Sequence, residues 1–74
     1  MDGNLAGVES LSGWEHVVQL LREIEGYIRR HGTTAARFGR DVVRDPRFVF
    51  DLRNGREPRA ATEARVRAFL EMTR

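Results

Sequence analysis

A chain of 74 residues without cysteine has room for one domain, whose core at this size supplies only about 3–5 kcal/mol net, and it excludes disulfide bracing and thiolate metal sites. The formal charge of +2 hides a polarity: residues 1–26 carry five acids against one arginine, net −4, and residues 27–74 carry twelve arginines against six acids, net +6. A chain divided this way presents a basic half to a polyanion. No apolar stretch approaches the roughly 20 residues a membrane helix needs, and the opening MDGNLAGVES lacks the basic flank and apolar run of a signal peptide or lipidation site, so a soluble cytoplasmic protein with no membrane partner is expected.

Residues 1–11, with two glycines, an asparagine and little periodicity, read as a flexible or disordered N-terminal arm, and 12–74 as the folded domain. Ser12 followed by Glu15 has the spacing of a capping box, with Leu11 placed to staple the start of helix 1. Trp14, Val17, Val18, Leu21, Ile24 and Ile28 then recur on one face of a 3.6-residue period, which predicts a helix from about Gly13 to Arg30. Trp14 and Tyr27 read as core or core-edge residues. Arg29, Arg30 and His31 complement the helix dipole, and Gly32 is a terminating residue. Gly26, unfavourable inside a helix by about 1 kcal/mol, suggests a close approach by another helix.

A second helix is expected over Ala35–Val43, capped by Thr34 or Thr33, with Phe38, Val42 and Gly39 inward. Asp45 as N-cap and Pro46 at the first helical position open a third, with Val49 and Leu52 inward, Phe48 beside Leu52, and Asn54-Gly55 as its end. After a connection containing Pro58, a fourth is expected from Glu63 to Met72, capped by Thr62, with Val66, Phe69 and Leu70 inward. No segment alternates as a half-buried strand does. The fold class expected is therefore all-α: a small four-helix domain with a short arm.

The stretch TAARFGRDVVRDPRFVFDLRNGREP, residues 34–58, resembles the lambda-repressor-like (XRE-type) helix-turn-helix family. Thr34 stands at the cap, Phe38 and Val42 at the two leucine positions of the first helix, and Gly39 at the small-residue position. Asp45 opens the second helix, Val49 and Leu52 are its two core aliphatics, and Asn54-Gly55-Arg56 closes the unit. Val43 stands where the family usually has a turn glycine; a β-branched residue resists positive φ, so either the turn differs locally or the second helix of the chain runs longer.

The resemblance implies a small bacterial or phage transcriptional regulator, a repressor among other options, that is nucleoid-associated and binds double-stranded DNA with its third helix in the major groove. It implies a homodimer on paired half-sites or a monomer assembling on DNA, with RNA polymerase or another regulator as protein partner. Within that frame Arg47, Phe50, Asp51 and Asn54 are the candidate base contacts. Arg47 would fork onto guanine O6 and N7, Phe50 would cover a thymine methyl, Asp51 would accept from cytosine N4 or act as a surface partner for arginine, and Asn54 would read adenine or simply cap the helix. Thr34, Arg37, Arg40, Arg44, Arg53, Arg56 and Arg59 are the candidate phosphate contacts.

All thirteen basic residues are arginine, which GC-rich codon usage explains as readily as selection for planar forks. The competing readings are a protein-interaction module on the same fold, gripping a partner through Phe48, Phe50 and the N-terminal acidic half, and an architectural protein that binds any duplex without base readout. His16 and His31, fifteen residues apart, make a metal site unexpected. No serine or threonine has a base and an orienting group nearby, no glycine-rich phosphate loop follows a strand, and neither an enzyme nor a cofactor is expected.

Overall fold

In the computed structural model, the backbone is described over residues 13–73 and side chains over 15–73. Four helices follow one another and no strand occurs among the described residues: α1 Gly13–His31, α2 Ala35–Val43, α3 Phe48–Arg53 and α4 Ala60–Met72. The expected arm, the Ser12 cap, Leu11 and the side chain of Trp14 lie outside the described residues. The all-α four-helix class expected from the sequence is the one observed.

α1 buries Val17, Leu20 and Ile24 completely, while Leu21, Tyr27 and Ile28 pack on the edge of the core. The buried stripe therefore runs through Leu20, and Val18, expected inward, is only half-buried. Both phases satisfy a 3.6-residue period, and packing decides between them. Gly32 ends the helix at φ 63°, and the N–H of Thr33 turns back to donate to the carbonyl of Ile28, satisfying an otherwise orphaned acceptor.

α2 starts at an extended Thr34, whose Oγ1 accepts the N–H of Arg37 at 3.1 Å. That is the side-chain capping bond that serine and threonine supply at a helix start. The helix buries Ala35, Phe38, Gly39 and Val42 and packs chiefly against α3. Val43 keeps helical geometry, and the left-handed residue is Arg44, at φ 60° and ψ 34°. Of the two outcomes open at Val43, the helix runs longer. The N–H of Arg44 donates to Arg40 O and that of Asp45 to Gly39 O, both 3.0 Å.

The third helix begins at Phe48 and not at Pro46 as expected. The Asp45 carboxylate does receive a backbone N–H, that of Arg47 at 2.9 Å. The Asp45 carbonyl, however, accepts from Phe48 at 3.1 Å, three residues on, so Pro46 and Arg47 form a tight turn ahead of the first α-type bond, Asp51 N–H to Arg47 O. α3 ends at Gly55, φ 86°, with Gly55 N–H donating to Leu52 O and Arg56 N–H to Asp51 O, each 2.9 Å. Asn54 stays at negative φ, so Gly55 alone supplies the left-handed turn.

α4 begins at Ala60, three residues before the expected Glu63, and Thr62 lies inside it instead of capping it. Arg59 after Pro58 is extended and its carbonyl accepts from Glu63 N–H; Ala60 and Ala61, strong helix formers, fill the extra turn. Val66 and Leu70 are buried, and Phe69 joins Tyr27 and Phe38 in an edge-to-face aromatic trio that ties α1, α2 and α4 together. His31 stacks on the outer side of Tyr27, ring centroids 4.1 Å apart.

Candidate functional site

The site region begins with a backbone fit. An added Cβ on Gly39 would overlap the carbonyl oxygen of Asp45 and come within 3.2 Å of the Cβ of Phe48. Only a residue without a side chain lets the α2–α3 turn fold down onto α2 here. With the turn in that position, α3 places Phe48, Val49 and Leu52 in the core and leaves the rest of its circumference outward.

Arg47, at the N-cap of α3, is exposed and makes no ion pair with any described residue. The pairing with Asp51 that a surface arginine would be offered one turn on is not formed. Asp51, half-buried, instead faces Arg56, Oδ2 to Nη1 3.3 Å, reinforcing the closing turn of α3. Asp51 is thus a surface partner for arginine. Asn54 is exposed, and its N–H donates to the carbonyls of Phe50 and Asp51.

Phe50 is turned out, 45% exposed. Phe48, paired with it in the protein-interaction reading, is buried at 6%, so that reading loses one of its two aromatic contacts. The guanidinium carbon of Arg53 lies 5.5 Å from the Phe50 ring centroid.

The seven candidate phosphate contacts differ in freedom. Arg44 and Arg59 are exposed without an ion pair to a described residue. Arg37 and Arg40 lie 3.9 and 3.8 Å from opposite oxygens of Asp41, distances too long for hydrogen bonds and worth little on an exposed surface. Arg56 is shared with Asp51. Thr34 accepts the Arg37 N–H at the cap, which leaves its O–H as a donor. Arg53 is committed most firmly: its Nε and Nη2 donate to the two Glu25 oxygens of α1 at 2.7 and 2.9 Å. The hydrogen bond from Arg53 holds the Glu25 carboxyl below the usual range against a partial burial that opposes it, helped by the charges of Arg53 and Arg29. The same bond raises the guanidinium's own value. Glu25 carried no signal in the sequence, standing twenty-eight positions before its partner.

On α2, residues 37 and 40 share the side away from the buried Phe38 and Val42, by the helical period. The exposed arginines of α2 thus lie on its outward side, and Arg44 lies in the turn that leads to α3. A shallow concavity of about 200 Å³ lined by Val43, Ala61, Thr62 and Arg65 lies between the end of α2 and the start of α4, below the usual range of small-molecule pockets. No group of three or more potential metal ligands occurs among the described residues, and no helix of the described chain is long and apolar enough to cross a membrane.

The described residues form a small all-α domain of four helices, with exposed arginines on α2, in the α2–α3 turn and before α4. Comparison with models of known families, with curated proteins and with solved structures finds no match.

Proposed function

We propose that this chain is a sequence-specific DNA-binding regulator of transcription, in which α2 and α3 act as a helix-turn-helix and the outward side of α3 enters the major groove. The observation that carries the reading is Arg47: an exposed arginine at the head of a short helix whose opposite side is wholly buried, with no ion pair to a described residue. An arginine so placed is available to fork onto guanine, a contact worth about 1–3 kcal/mol of base discrimination. Arg37, Arg40 and Arg44, exposed on α2 and in the turn after it, are the phosphate contacts of this reading, and positive charge is what a polyanion requires. A dimer on paired half-sites, and contact with RNA polymerase or a second regulator, belong to the same proposal.

The test is selection of bound fragments from a random duplex pool, followed by titration of charge-reversed chains. Arg47→Glu should lower affinity for the selected duplex at least tenfold and Arg40→Glu should weaken binding to all duplexes alike. Unchanged affinity of both variants at low salt would end the DNA reading. Equal affinity of the unaltered chain for selected and scrambled duplexes, with a steep salt dependence, would replace it by non-specific architectural binding.

A further inference from the structure

Glu25, Arg53 and Phe50 form a line from the body of the domain to its exposed side. At one end Arg53 is fixed by two charge-assisted bonds to Glu25, 2.7 and 2.9 Å, the fork arrangement that restrains a guanidinium most. At the other end it lies over the Phe50 ring, 5.5 Å from its centroid. Phe50 and Met72 are the two large apolar side chains left exposed among the described residues. The pair's own side chains are 41% and 31% accessible, so it adds little to stability. What it does supply is a fixed place for the guanidinium and, through it, for the ring.

We propose that the Glu25–Arg53 pair is a positioning device that holds Phe50 as a fixed apolar contact for the 5-methyl group of thymine, and that Arg53 is not a phosphate contact. The inference rests on the DNA-binding reading above and deepens it by naming a base feature. In the major groove the thymine methyl is the apolar feature that distinguishes one base pair from the others. An unrestrained phenyl ring would settle against many surfaces; one backed by an anchored guanidinium offers a defined face. Arg47 stands three residues before Phe50 and is its neighbour on the helix surface, so a guanine fork and an apolar ring lie side by side. The half-site favoured is one in which a thymine adjoins a guanine. Arg53, meanwhile, has two of its five N–H donors engaged and its charge matched by Glu25, so it displaces no counterion from the duplex.

The experiment uses the full chain and the strongest duplex recovered from a random pool, with each thymine replaced in turn by deoxyuridine, which removes only the methyl. At one position per half-site affinity should fall about fourfold, the value of one buried methyl-sized group. The effect should vanish in Phe50→Ala and shrink below twofold in Arg53→Gln and Glu25→Gln. The salt slope of Arg53→Gln should equal that of the unaltered chain. Arg53→Lys, which keeps the charge but not the fork, should behave like Arg53→Gln and serves if the latter is unfolded at the assay temperature. Insensitivity to deoxyuridine at every position, with Arg47→Glu still abolishing binding, overturns this inference and leaves the DNA reading standing. A salt slope lower by about one in Arg53→Gln, with the methyl effect intact, makes Arg53 a phosphate contact and overturns it too. Failure to bind any duplex removes both.

Discussion

Two glycines on neighbouring helices show how the same residue type answers to opposite demands. The Gly39 position is closed by backbone: a methyl group there meets the Asp45 carbonyl, which cannot move without carrying the α2–α3 turn with it. At Gly26 the nearest atom to an added methyl is Nη1 of Arg30, 3.3 Å away at the end of a flexible side chain, and the close helix approach expected at this position is not made. Gly26→Ala should therefore stabilise the domain by about 1 kcal/mol, raising the melting temperature by about 4–8 °C. Gly39→Ala should cost about 3 kcal/mol, most of what a core of this size supplies. Circular dichroism melts of the two variants check both, and a destabilised Gly26→Ala or a neutral Gly39→Ala would contradict the packing.

Arg44 is the third instructive position, the one described non-glycine residue at positive φ. A left-handed L-residue costs about 1–2 kcal/mol, part of which a glycine returns as extra freedom of the unfolded chain. Arg44→Gly should gain about 0.5–1 kcal/mol in a denaturant titration and, on the proposed DNA-binding reading, lower the salt slope by about one. Strain retained at a surface arginine makes sense where the side chain does work for a ligand. A variant that is more stable with an unchanged salt slope would reduce Arg44 to a turn residue.

At the scale of elements, the ends governed by a single side chain or a single glycine were legible. Thr34 caps α2 as expected, and Gly32 and Gly55 end α1 and α3 because no other residue type takes positive φ so easily. Ends set by competition between hydrogen-bond patterns were not. Asp45-Pro46 carries the marks of a helix start, yet the carbonyl of Asp45 is taken three residues on by Phe48, and the first true α turn waits for Arg47. Thr62 looked like a cap because threonine often is one, but the extended residue is Arg59, just after Pro58, and two alanines fill the added turn. Which side of α3 faces out was readable from the spacing of Val49 and Leu52, and Phe50 is exposed accordingly. That Arg53 is engaged by Glu25 was not readable, because the bond joins two helices whose relative placement depends on the whole core. The candidate surface was thus legible as a list of outward residues, whereas their division into free and engaged arginines required the tertiary fold.

Over the whole molecule, no polar or charged side chain is buried among the described residues, so charge acts at the rims between helices. Two carboxylates matter most. Glu25 on α1 binds Arg53 on α3, and Glu63 on α4 binds Arg67, 2.8 Å away, and His16 on α1. Burial by itself would raise the Glu63 carboxyl, but the hydrogen bond from Arg67 and the charges of His16 and Arg67 outweigh it and hold it below the ordinary range. A carboxyl depressed in the folded state stabilises the fold above its unfolded value, and that contribution is lost as pH falls through the folded value. Stability should therefore hold from neutrality down to about pH 5 and decline below it, as α1 loses its links to α3 and α4. Part of any acid decline comes from unmatched arginines, which the chain carries in every variant, so a comparison isolates the two carboxylates. A Glu25→Gln, Glu63→Gln double variant should be less stable at pH 7 and lose about 1 kcal/mol less between pH 6 and pH 3, an amount kept small by solvent screening of the half-exposed Glu25–Arg53 pair. Urea midpoints across that range measure the difference, and parallel curves for the two chains would mean that neither carboxylate favours the folded state.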